Sequence, residues 1–182
     1  MERASWTRSK TDAFYHCLLV FIQIYSLFFI FLSHDILYIC REMQIVNFYN
    51  LPTKNLSVIA IKAWVVKLAS HYEVQIDNLT VNFIDKKQML EMNQKYLNHD
   101  THTDILTFDY GNHQVINAEL FVSEYMCVLN SKENDQTLEN EVLRLISHGI
   151  LHTLGFSDKT QDQKKLMKEQ EDFCLTMFHV KQ

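Results

Sequence analysis

Three glycines and one proline in 182 residues leave this chain few places at which a helix or strand can be broken. Glycine reaches positive φ at little steric cost and proline removes a backbone donor, so their positions mark where the chain is made to turn. Two of the glycines, Gly149 and Gly155, fall inside one short segment, Ser147–Asp158. That segment combines a continuous helical pattern with an enforced stop, and it organises the rest of the reading.

Apolar residues make up 47% of the chain and the formal net charge is −5, which excludes a disordered tail. The acidic balance also removes a global basic field as the basis for nucleic-acid binding, so any RNA contact has to come from a local patch or a metal. The four cysteines, Cys17, Cys40, Cys127 and Cys174, form no C-x-x-C pair. They read as reduced thiols of a cytoplasmic protein.

Residues 1–42 differ from the remainder. From Ala13 to His34 there is no Asp, Glu, Lys or Arg, and Cys17–Leu32 is apolar except for Gln23 and Ser26. That is enough for a membrane anchor at residues 13–34, since a spanning helix needs about 20 mostly apolar residues. The competing expectation is that 1–42 is an extension arising from an upstream start, because Met43 opens a segment that reads as a complete domain. Residues 43–182 are expected to form one domain, with no flexible linker inside it.

Within that domain Met43–Tyr49 reads as a strand. Ser57–Tyr72 reads as a helix, with Ile61, Trp64, Val65, Leu68 and Tyr72 at helical spacing. Leu79–Ile84, Ile105–Phe108 and Val115–Val122 read as further strands, the last two joined by a turn at Tyr110–His113. Asp85 is a candidate cap for a helix carrying Met89, Met92 and Tyr96, and two amphipathic helices follow over about Thr137–Leu154 and Gln161–Phe178. The expected fold is α+β: a small mixed sheet of about four strands packed with helices, and a metal site at the end of a long helix.

The metal site follows from helical spacing. Residues four apart share a helix face, so His148 and His152 can present two imidazoles to one ion. Gly155 ends the helix, and the reversal can bring Asp158 back toward the same place. Asp158 has a rival role, since Asp158-x-x-Gln161 matches a capping box for the last helix. Three protein ligands with an open position suit a catalytic Zn²⁺, one per chain. A metallopeptidase of the zincin type would carry Glu immediately after the first His as general base; here that residue is Gly149.

The run His148-Gly149-x-Leu151-His152-x-x-Gly155, with Tyr96 and Thr103-Asp104-Ile105-Leu106-Thr107-Phe108 upstream, closely resembles the YbeY family of bacterial rRNA-maturation endoribonucleases. The family pattern is H-G-x-L-H-x-x-G-Y-D-H, preceded by Y-R and T-D-V-L-S-F, and the resemblance covers about 43–182. It implies a single α+β domain with one zinc ion, a cytoplasmic location, and single-strand-specific cleavage of RNA in 16S rRNA 3′-end maturation and ribosome quality control. The implied partners are the 16S rRNA precursor and ribosomal subunits.

Three of the departures from the pattern bear on its chemistry. The family's third His falls on Asp158, an anionic ligand expected to acidify bound water less and to let harder ions such as Mn²⁺ compete better. The arginine after the family's tyrosine is Leu97, with Lys95 and Lys159 as conceivable substitutes. The family's Gly-Asp corresponds to Ala118-Glu119. Glu119 and Asp104 are the candidates for general base or for orienting a histidine. His99 and His102 read as part of a polar turn. The missing arginine and the altered ligand also motivate a different class of reading, a ribosome-associated binding module that has lost activity.

Overall fold

The computed structural model describes residues 42–97 and 100–179. The apolar stretch 13–34 and His99 lie outside them. Among the described residues no helix is long and apolar enough to cross a membrane.

The elements run β1 (Val46–Tyr49), α1 (Val58–His71), β2 (Gln75–Ile84), α2 (Lys86–Leu97), β3 (Ile105–Asp109), β4 (Val115–Ser123), α3 (Glu124–Glu133), α4 (Leu138–Thr153) and α5 (Gln161–His179). The fold is α+β with one four-stranded mixed sheet in the order β1-β2-β4-β3. β1 and β4 both pair with β2 in parallel, and β3 runs antiparallel to β4 at the edge.

Helix starts follow local side-chain chemistry. The Ser57 hydroxyl accepts from Ala60 N–H at 3.4 Å, and Thr137 accepts from Asn140 N–H at 3.1 Å. Asp85 and Gln88 satisfy each other's backbone N–H groups in a capping box. Two elements differ from the sequence reading. β2 begins at Gln75 rather than Leu79, because a register shift between Ile76 and Asn78 puts its buried residues Ile76 and Leu79 three apart and breaks the period-two signal. α3 carries no apolar stripe: Cys127 and Ser131 are buried while Tyr125 and Val128 face outward, so periodicity does not reveal it.

The sheet's two faces are unlike. Along β4, Ile116, Ala118, Leu120 and Val122 are buried in the main core with Trp64 and Leu68 of α1, Leu145 and Ile146 of α4, and Met167 of α5. Alternation sends Asn117, Glu119 and Phe121 to the opposite face. There Met89 of α2 makes a small separate cluster with Ile84 and Leu106, flanked by Phe108 and Phe121. α4 reaches the first face closely at Gly149, where an added Cβ would lie 2.8 Å from Ile105 Cδ1 and 2.9 Å from Leu120 Cδ1.

Candidate metal centre

α4 ends in a hydrogen-bonded turn that the sequence specifies residue by residue. Gly155 adopts φ +93°, its N–H donates to His152 C=O at 3.0 Å, and Phe156 N–H reaches back to Leu151 C=O at 3.0 Å. This pair of bonds is the Schellman arrangement, which needs a left-handed residue at the Gly155 position. A side chain at 155 would also meet the ring of His113, whose Cε1 lies 3.2 Å from the ideal Cβ. The reversal turns the Phe156 carbonyl toward the helix it has just left.

His152 uses that carbonyl. Its Nδ1 lies 3.0 Å from Phe156 O, and because a carbonyl only accepts, Nδ1 carries the proton. His148 Nδ1 lies 2.7 Å from Glu171 Oε1 on α5. Burial of Glu171 opposes its ionisation, but the hydrogen bond to His148 and the Arg144 charge outweigh this and hold its carboxyl below the ordinary range. Glu171 is therefore the acceptor. Both imidazoles are thus pinned through Nδ1, and their Nε2 atoms face each other at 3.0 Å.

Two neutral imidazoles held this way would point lone pairs at one another, an arrangement that requires a proton or a cation between them. Tetrahedral zinc ligation with bonds of about 2.0–2.1 Å spaces two nitrogens about 3.3 Å apart, so the histidines already stand near ligand spacing. Asp158 completes the group: one ligand atom from each of His148, His152 and Asp158 falls within 4.8 Å of the other two. The donor set fits a divalent cation. The capping role that competed for Asp158 is taken by Thr160, which exchanges hydrogen bonds with Gln163 at the start of α5. Gly149 has its α-carbon against the sheet, so a glutamate there would drive its side chain into Ile105 and Leu120 and away from the histidines. The peptidase arrangement has no room at this position.

The other sequence candidates separate across the sheet. Asp104 lies on the histidine side: its Oδ1 accepts from Ile105 N–H at 3.0 Å and its Oδ2 is 3.6 Å from Arg144 Nη2. Glu119 occupies the opposite face, where Tyr110 OH donates to it at 3.4 Å. The upstream motif divides in the same way. Ile105 and Thr107 turn toward α4, whereas Phe108 packs edge-on against Tyr96 at 5.1 Å on the far face. Thr107 Oγ1 is buried without a partner on the α4 side. Lys95 is exposed with its Nζ 4.9 Å from the Tyr96 ring, and Lys159 is exposed beside Asp158. His102 packs against Tyr125, away from the metal group, and its buried Nδ1 has no partner.

Sequence reasoning missed Glu171 and Arg144. Glu171 is far from the histidines along the chain and sits on another helix, so no local spacing reveals it. Arg144 did leave a signal, because Arg144, His148 and His152 are spaced four apart and form one stripe along α4.

The family model described as Endoribonuclease YbeY matches residues 47–179. Endoribonuclease YbeY of Flavobacterium johnsoniae is 41% identical over 100 residues, which cover 55% of this chain and 72% of that protein. Its counterpart in Bacteroides fragilis is 36% identical over 114 residues, 63% of this chain and 82% of that protein. A Thermotoga maritima protein solved in solution has a similar fold, with a TM-score of 0.55 at 23% identity, covering 73% of this chain and 87% of that one.

Proposed function

We propose, since this chain belongs to the YbeY endoribonuclease family, that it is a metal-dependent endoribonuclease cutting single-stranded RNA, with 16S rRNA 3′-end maturation and ribosome quality control as its setting. His148, His152 and Asp158 would hold one Zn²⁺. The observation that carries the reading is the pair of Nε2 atoms facing each other 3.0 Å apart, each imidazole fixed from behind by an acceptor. When bound, the cation supplies a Lewis acid for a phosphodiester oxygen and an acidified water.

The chain's own residues set the conditions for that chemistry. Glu171 and the Phe156 carbonyl fix the imidazole tautomers, so both ligands are preorganised before any ion arrives. Thr107 Oγ1 is buried and unpartnered on the α4 side, a polar atom for which an internal water is the natural partner. Of Asp104 and Glu119, Asp104 is the one on the histidine side of the sheet, where it lies beside Arg144. Glu119 lies on the opposite face, away from the histidines, with Tyr110 OH as its partner.

The test is metal stoichiometry of the purified protein together with cleavage of a single-stranded RNA, for the wild type, His152→Ala and Asp158→Ala. One zinc per chain, lost with activity in both variants, is the expected result. Bound RNA or ribosomal subunits without any cleavage would instead favour the binding module. Leu97 in place of the family's arginine is the observation behind that second reading.

A further inference from the structure

We infer that Arg144 is a positioning residue for the metal centre: it clamps the Glu171 carboxylate, which in turn holds His148 with its Nε2 free for the cation. The inference rests on the proposed metal-dependent function and extends it from the three ligands to the residues that aim one of them.

Arg144 is the only arginine between residues 42 and 182. In an endoribonuclease an arginine is the natural partner for substrate phosphate, because its planar fork matches two oxygens at once. Here the fork is already occupied. Nε and Nη2 donate to the two Glu141 oxygens at 2.8 and 2.7 Å, Nη1 donates to Glu171 Oε2 at 3.3 Å, and Nη2 also lies 3.6 Å from Asp104 Oδ2. Glu141 and Glu171 are both buried. Turning the guanidinium toward RNA would strand these carboxylates without a counter-charge, a large cost in a low-dielectric interior.

The geometry instead runs toward the histidine. Glu171 uses one oxygen for Arg144 and the other, at 2.7 Å, for His148 Nδ1. A carboxylate held at both oxygens cannot rotate without losing one bond, so the imidazole it orients inherits the rigidity. Arg144 stands one helical turn before His148, and Asp104 anchors the same guanidinium to the start of β3. Three elements, β3, α4 and α5, therefore meet at this one side chain.

The inference is tested on the full chain with Zn²⁺ as the probe. Affinity is measured by chelator competition, and the ring tautomers are read from ¹⁵N shifts of the metal-free protein. The variants are Glu171→Gln, Arg144→Lys and, as a structural control, Thr137→Ala, which removes the α4 cap without touching the cluster. Loss of an outer partner of a metal ligand typically weakens binding about 10–100-fold, and that loss is expected for Glu171→Gln. Arg144→Lys keeps the charge without the fork and should fall between it and the wild type. Thr137→Ala should lower the melting temperature with Zn²⁺ affinity unchanged. His148 in the wild type should show the Nδ1-protonated pattern and lose its uniqueness in Glu171→Gln. If Arg144→Lys does not fold, Glu171→Gln and the tautomer pattern carry the test. Wild-type zinc binding with either Glu171→Gln or Arg144→Lys binding as tightly as the wild type overturns the inference alone. A wild type that binds no zinc overturns the functional reading and this inference together, and the two outcomes are told apart by the wild type itself.

Discussion

The two faces of the sheet are made from alternate residues of the same strands, yet they do different work. The face toward α4 buries Leu79, Val81, Ala118 and Leu120 completely, and the charged cluster of Glu141, Arg144 and Glu171 is enclosed beside it. The face toward α2 has one fully buried apolar anchor on that helix, Met89, and leaves Tyr96 and Tyr110 more than half exposed. The dense face supplies the rigidity that a preorganised ion site needs, since ligands can be aimed only by groups that are themselves immobile. The sparse face can adapt to a partner because little packing depends on it. β3 forms the boundary, contributing Ile105 to one side and Phe108 to the other.

The sharpest way to break this comparison uses neighbouring residues of β4. Leu120→Ala removes a fully buried side chain from the dense face, and core Leu→Ala changes cost about 2–5 kcal/mol. Phe121→Ala removes a larger but half-buried ring from the sparse face, and the smaller apolar area withdrawn from water should limit the loss to about 1–2 kcal/mol. Urea unfolding of both variants checks the order. A Phe121 variant as damaged as the Leu120 variant would mean that α2 closes its face as tightly as α4 closes the other.

Legibility in the sequence follows the same division. Helices α1, α4 and α5 press an apolar stripe on the dense face, so their periodicity was readable, as was the α+β class. α3 presses only Cys127 and Ser131 inward and gave no stripe to read. At the site, the H-x-x-x-H spacing located the two imidazoles because their neighbourhood is local to one helix. What fixes those imidazoles is not local. Glu171 arrives from α5, and its pairing with Arg144 depends on how two helices pack, which no single stretch encodes. The start of α5 at Gln161 was readable but its cap was not, for a related reason: Asp158-x-x-Gln161 and Thr160-x-x-Gln163 are equally good capping boxes on paper, and only the path of the chain after Gly155 selects the second.

That choice gives a test within the dense layer itself, separating polar residues that hold the fold from those proposed to hold the ion. Thr160→Ala removes a helix cap and should cost about 1 kcal/mol with Zn²⁺ stoichiometry unchanged. Asp158→Ala should do the converse, leaving metal-free stability nearly intact while weakening zinc binding. Thermal melts with and without Zn²⁺ read both effects. Asp158→Ala destabilising the metal-free protein as much as Thr160→Ala would return the aspartate to a structural role.

The smallest expected effect concerns how tightly the dense layer is closed, and its two cysteines report on it. Burial pushes the Cys127 thiol up to about 12, helped by the nearby Glu141 charge, and pushes Cys174 up to about 11 despite its contact with Tyr72. Unfolded thiols ionise near about 8.5. A raised folded-state value means that the neutral thiols' contribution is complete below that pH and is lost as pH rises through the interval to about 11–12. The melting temperature should therefore be flat with respect to these groups up to about pH 8 and decline above it, with a shallower decline in Cys127→Ala. At pH 8, peptide mapping after brief iodoacetamide treatment should find both positions unmodified in the native protein and fully modified in denaturant. Fast native labelling of Cys127 alone would locate an opening at α3, a helix with almost no apolar anchor, and would confine the rigid part of the dense face to α1, α4 and α5.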